Sequence, residues 1–447
     1  MISERLIRVL TLADYNTRIV MFGTITLGIA GGVVGVFLLL RRRALLADAV
    51  SHAALPGVVG AFLLSVALGG DPRSLPFLLT GALVSGLLGM GTILVISRYT
   101  RLSQDAALGI VLSVFFGLGI ALLGIVQKMP GAPAAGLDSF IYGKAASIIR
   151  EDALLIGIVA LIIVLTTGLL FKEFRLITFD PDFAVGDGWP VHRLDLMLMT
   201  LVVAVTVIGL QAVGIILIVA ILILPPVTAR FWVDRLMPMV LLSALFGALG
   251  AWIGTSISAL APRLPAGAVI VVSLGALFVV SLLFGTERGV IRGLYRNRVV
   301  ARRTMRHHLL RAFYEYEESG GVPDAEEQHY YVASLRGWGA RRYRRAVRML
   351  ARNHAIYRIA HGPWQFTARG RAEAARITRN HRLWEVYLLE HADIAPSHVD
   401  YGADFIEHVL GDELVTELEQ ALPRFGKTVP KSVHHIEGHI DRTEQHP

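Results

Sequence analysis

The chain has 447 residues, of which 54% are apolar and only 17% charged, with a formal net charge of +8 and no cysteine. Soluble domains average about 25% charged residues, so this composition, with a mean hydropathy of +0.57, excludes a disordered chain and argues against an ordinary soluble enzyme. Without cysteine there are no disulfides, thiolate metal sites or cysteine nucleophiles.

Charge divides the chain. Residues 1–285 carry 18 Lys+Arg and 14 Asp+Glu, whereas the other 162 residues carry 25 and 21. Each part is net +4, but the first has the composition of a membrane protein and the second that of a soluble domain. The opening segment, residues 1–17, lacks the short apolar core and small-residue cleavage site of a signal peptide. A helix needs about 20 apolar residues to cross a bilayer. Nine stretches qualify, near 18–40, 49–68, 75–97, 106–126, 152–171, 194–210, 212–229, 238–259 and 266–284. The sixth and seventh are short and nearly continuous, so the predicted bundle has eight or nine spans. Runs such as GTITLGIAGGVVG and LLTGALVSGLLGMG supply small residues that let membrane helices approach closely. With the N-terminus outside, ten Lys and Arg fall in inner loops (among them Arg41, Arg42 and Arg43) against five in outer loops. The excess of positive charge marks the cytoplasmic side and leaves the C-terminal part there. Arg5, Arg8 and Arg18 point the other way.

From residue 286 the pattern becomes soluble. ERGVIRGLYRNRVVARR is a basic juxtamembrane linker, 286–306, suited to anionic headgroups. An amphipathic helix is predicted over about 299–318, ending near Gly320–Gly321, and a second over 340–353. IYRIAHGPWQFTARG reads as two short strands around a His-Gly-Pro turn. Two helices and a hairpin outline a winged helix, residues 307–375. Helices over 377–391 and 403–422 follow in a helical region, 376–430, and a polar tail fills 431–447.

Ionisable groups inside a bilayer are costly and mark function by default. His52 is the one histidine in an apolar span, while thirteen of the fifteen histidines lie beyond residue 300. Asp48 lies four residues earlier, on the same helix face. A carboxylate and an imidazole together suit Zn²⁺, Mn²⁺ or Fe²⁺. Pro56 removes a helical hydrogen bond and frees a backbone carbonyl nearby. The plainer alternatives are an interhelical hydrogen bond, or pairing of Asp48 with Arg41–Arg43. The phosphate-loop pattern G-x-x-x-x-G-K-[ST] is missing: the Gly-Lys-Ala near residue 144 has no glycine at the required distance. ATP hydrolysis would require a separate subunit. The inner loop FKEFRLITFDPDFAVGDGWPVHRLD, with Asp180, Asp182, Asp187 and His192, either docks a partner or is simply solvated. In the soluble part His381 and Glu385 share a helix face, and Glu407 and His408 follow with His398, Asp400 and Asp404 nearby. This set has metal-site character, though scattered surface residues would look the same. Arg341, Arg342, Arg344, Arg345 and Arg348 make one helix suited to DNA phosphates, to lipid or to plain solvation.

DAVSHAALPGVVGAFLL resembles the integral-membrane permeases of manganese, zinc and iron ATP-binding-cassette importers. GLDSFIYGKAAS, FDPDFAVGDG and QAVGIILIVAILILPPVTA match at the expected places, so four ordered motifs cover most of the permease domain, 18–285. The resemblance implies an all-α polytopic bundle that binds no resident cofactor and imports a divalent transition metal. It implies a second permease subunit (identical or not), cytoplasmic ATPases, and an external or periplasmic metal-binding protein. It also implies that Asp48 and His52 line the metal path. The FDPDFAVGDG segment (Asp180, Asp182, Ala184 and Gly186) would meet the ATPase. Residues 307–430 are similar to the iron-dependent (diphtheria-toxin) repressor family. That likeness implies ligand pairs at His381 and Glu385 and at Glu407 and His408, with Asp404 at a position that holds Cys or an acid. Two departures stand out: Asp400 where His is frequent, and His308 and Arg311 where some members carry acidic ligands. An arginine cannot ligate a metal. The implied role is regulation of transport by a metal ligand, and DNA is not expected as a partner. The competing function is a membrane-tethered metal-responsive transcription regulator, but a tether needs one or two spans, not eight or nine.

Overall fold

A computed structural model describes residues 14–71, 74–129, 148–260, 264–320, 324–335 and 337–391. The chain divides into two compact units, Met1–Gly293 and Leu294–Pro447.

The described part of the first unit is all helical: α1 (Tyr15–Leu40), α2 (Leu46–Ala67), α3 (Leu75–Tyr99), α4 (Gln104–Lys128), α5 (Arg150–Leu169), α6 (Phe171–Phe179), α7 (Pro181–Gly186), α8 (Val191–Val213), α9 (Ile215–Arg230), α10 (Leu236–Leu260) and α11 (Ala266–Phe284). Among the described residues, eight helices are long and apolar enough to cross a bilayer. The predicted seventh span is α9, whose 16 residues rise only about 24 Å against a hydrocarbon core of about 30 Å. Gly214, at φ +81°, separates it from α8. That left-handed backbone is open to glycine and strained for other residues.

α1 lies at the centre of one group of helices, against α10, α5, α9 and α8, while α2 packs with α3 and α4 in another; α8 touches both groups. Small residues set these contacts. A Cβ on Gly28 would sit 2.5 Å from the Gly247 carbonyl oxygen, and one on Gly247 would sit 2.1 Å from that of Gly28. Gly57 and Gly81 make the matching approach between α2 and α3. Hydroxyls join the same seams. Ser243 Oγ donates to the Gly32 carbonyl at 2.7 Å, Ser85 Oγ to that of Ala53 at 2.6 Å, and the Thr24 and Thr255 hydroxyls lie 3.1 Å apart.

The second unit begins within α12 (Val290–Glu318) and continues through α13 (Ala325–Leu335), α14 (Ala340–Arg352), β1 (Ile356–Arg358), β2 (Trp364–Phe366) and α15 (Ala368–His391). The predicted linker 286–306 and the helix after it are mostly one structure, because α12 runs unbroken from Val290. The two strands pair antiparallel with Ile356 opposite Phe366. Gln328 extends this ribbon: its side-chain amide donates to the Trp364 carbonyl at 3.0 Å and accepts from the Trp364 amide at 2.9 Å. Leu309, Leu310 and Phe313 of α12 close an apolar core with Val347 and Leu350 of α14 and Ile377 of α15.

Candidate functional site: an acid–imidazole pair in the bundle

α2 places Asp48 in its first turn and His52 one turn later. The His52 Nε2 lies 3.5 Å from the Asp48 Oδ1, with the side chains 19% and 36% accessible. This spacing is long for a hydrogen bond, but it suits two ligands of one small cation. Bonds of about 2.1 Å to each atom would subtend roughly 115° at the ion, near tetrahedral. The His52 ring packs edge-on against Phe116 of α4, centroids 4.8 Å apart. Its Nδ1 is buried without a hydrogen-bond partner among the described residues. Pro56 lies inside the same helix, four residues after His52, so the His52 carbonyl lacks its helical donor. The alternative pairing of Asp48 with Arg41–Arg43 does not occur. Arg41 and Arg43 both bind Asp195 of α8 instead, Arg43 Nη1 lying 3.1 Å from its Oδ1. Among the described residues, no three His, Asp or Glu side chains are placed to hold one ion.

The predicted inner loop is folded into α6 and α7. Asp180 caps α7, its carboxylate accepting from the Phe183 amide at 3.0 Å. Asp182 and Gly186 are exposed. Ala184 is fully buried, which corrects its expected place on the contact surface: its methyl holds α7 to the bundle. The residues that do project are Phe179, Phe183, Val185 and Trp189, all large, apolar and exposed. Sequence reasoning weighed the charges here and passed over these side chains, although FDPDFAVGDGW alternates them with acids and glycines. Asp195 was also missed. The signal was an acid one turn inside an apolar run.

In the second unit His381 is buried on α15, as is Arg311 on α12. Arg311 Nε lies 3.4 Å from Glu315 Oε1. α12 and α15 are joined by ion pairs: Arg306 with Glu373 at 2.6 Å, Arg371 with Glu317 at 2.6 Å, and Arg382 with Glu318. The Glu385 side chain and Asp400, Asp404, Glu407 and His408 lie outside the described residues, as does GLDSFIYGKAAS. The arginines of α14 are exposed opposite buried Tyr343, Ala346, Val347 and Leu350, and Arg342 stacks over Trp338 at 5.0 Å.

Residues 13–285 match the ABC 3 transport family, and residues 367–430 match the iron dependent repressor, metal binding and dimerisation domain. The chain is 39% identical over 398 residues to the manganese transport system membrane protein MntC of Bacillus subtilis (strain 168), covering 89% of each. It is 45% identical over 289 residues to the zinc transport system membrane protein TroC of Treponema pallidum (strain Nichols), covering 65% of this chain and 95% of that one. Among solved structures, PsaBC from Streptococcus pneumoniae in complex with Fab is similar at a TM-score of 0.55 and 32% identity, over 64% of this chain and 98% of that one. With eight apolar helices, a family match over the whole bundle and relatives aligned along nearly their full length, this chain is a multi-pass membrane protein that belongs to the ABC 3 transport family.

Proposed function

We propose that the protein is the permease subunit of an importer for divalent transition metals (Mn²⁺, Zn²⁺ or Fe²⁺) and that Asp48 and His52 line the path. The observation that carries this reading is the pair itself. Two metal-ligating side chains stand 3.5 Å apart in a helix otherwise built of apolar and small residues. Two protein ligands are fewer than the four of a structural zinc site. A transport site needs that incompleteness, since an ion must bind well enough to enter and weakly enough to leave. Water, the freed His52 carbonyl, or a second permease subunit would complete the shell.

A separate cytoplasmic ATPase supplies the energy and meets the protein on α6 and α7, where exposed Phe183 and Val185 flank buried Ala184. An external or periplasmic metal-binding protein delivers the cargo. The second unit lies in the cytoplasm, folds as a winged helix joined to a helical half, and regulates transport. Support for regulation is the match to the repressor's metal-binding domain, together with the burial of His381 on α15.

The test is metal uptake by reconstituted complexes. Asp48→Ala and His52→Ala should assemble normally and lose at least about 100-fold of wild-type uptake, since even outer-shell changes at metal sites cost about 10–100-fold. Wild-type rates in both variants would overturn the assignment.

A further inference from the structure

The ion-pair cluster of Arg41, Arg43 and Asp195 joins the two helix groups of the first unit, and nothing in the proposed path uses it. Asp195 sits in the second turn of α8, with only 14% of its side chain accessible; Arg41 and Arg43 are 11% and 19% accessible. Both carboxylate oxygens face Arg43, at 3.1 and 3.2 Å, and Oδ1 also faces Arg41. Two guanidinium groups share one largely buried carboxylate, so losing that carboxylate would leave both cations desolvated and unpaired.

Its backbone setting is stiff. The Arg43 amide donates to the Leu38 carbonyl of α1 at 2.9 Å, and the Arg43 carbonyl accepts from the Leu46 amide of α2 at 3.0 Å. Arg42 between them is in the left-handed region, φ +58°, a strained state for a non-glycine residue that persists where its surroundings impose it. A pull on the Arg43 guanidinium is therefore a pull on Leu46 at the start of α2, two residues before Asp48. At the same end of the bundle, Phe37 of α1 meets Phe174 and Phe171 of the α6 region, with ring centroids 5.7 and 6.4 Å apart. α6 and α7 also pack on α8.

We propose that Arg41, Asp195 and Arg43 form a coupling latch: displacement of α6 and α7 by the ATPase moves α8, and Asp195 transmits that movement through the two guanidinium groups to α2 and the Asp48–His52 pair. These are positioning residues, since none of them touches the path. The proposal rests on the reading of α6 and α7 as the ATPase contact.

The experiment uses the full complex in proteoliposomes, with Mn²⁺ as the probe and a single cysteine at Gly60 of α2 in this cysteine-free chain. A Cβ there meets no neighbour within 4 Å. Three quantities are read: Mn²⁺ uptake, ATP hydrolysis, and the change in cysteine labelling on adding ATP. Asp195→Asn keeps the side-chain shape, and Arg43→Gln leaves the Arg41–Asp195 pair in place should the first variant fold poorly. Each should hydrolyse ATP within about twofold of wild type, move at least tenfold less Mn²⁺ per ATP, and lose the ATP-dependent labelling change. The double variant should be no worse than Asp195→Asn alone. Unchanged Mn²⁺ per ATP, or a parallel fall in hydrolysis and uptake in both variants, would overturn the latch. A wild-type complex whose labelling responds to ATP but which takes up no divalent metal would sink the permease reading and spare the latch.

Discussion

The two units are both helical, yet they are held together by different forces. In the second, amphipathic helices bury one face away from water: α14 sets Tyr343, Ala346, Val347 and Leu350 inward with arginines opposite, and ion pairs bind α12 to α15. In the first, helices are apolar all round, so association gains little from excluding water; close packing and a few hydroxyls take over. Gly28 against Gly247 and Gly57 against Gly81 are the result. The lesson is that a glycine in the bundle does the work of a leucine in the soluble core.

The comparison can be broken first where it is sharpest. Gly247→Leu should abolish assembly, because even a Cβ at that position falls 2.1 Å from a backbone oxygen. Size-exclusion of the detergent-extracted protein would show aggregation. Gly275→Leu on α11, with nothing within 4 Å of its Cβ, should elute as wild type. If both behave alike, close approach is not what holds the bundle. Next in size is Leu350→Ala in the soluble core, fully buried. It should cost about 2–5 kcal/mol, read as faster hydrogen exchange in α14 of the full chain, with the bundle unaffected. Thr255→Val removes the hydroxyl facing Thr24 and should cost only about 0.6 kcal/mol, the mean for bonds between membrane helices. Of similar size is Arg371→Ala, which opens an ion pair whose arginine is 62% accessible. An effect of about 0.2–1 kcal/mol, fading at high salt, is expected in denaturant unfolding of the second unit; a larger, salt-insensitive loss would mean that its ion pairs do more than decorate an apolar core.

Much of this was legible before folding. Apolar run length predicts the spans to within a few residues, since α1 to α5 and α8 to α11 all fall where they were expected. The Asp48–His52 pair was legible too, because residues four apart on one helix must share a face whatever surrounds them. Other features depended on partners distant in sequence. Arg41 and Arg43 lie near Asp48 in the chain, and only the arrangement of α1, α2 and α8 gives them to Asp195, about 150 residues away. Ala184 looked like part of a contact surface and proved buried, because the side α7 turns to the bundle is set by packing and its sequence is too short to show a period.

Composition, run length and local spacing therefore determined by themselves that this chain crosses a membrane many times, carries a charged second unit, and holds an acid and an imidazole on one helix face. Those properties follow from transfer between water and lipid and from the pitch of a helix, which act residue by residue. Only the tertiary structure decided which charges neutralise one another, which glycines touch, and where the bundle's two helix groups are tied. Such pairings depend on the distances between helices, and those are set by all the contacts of the bundle together.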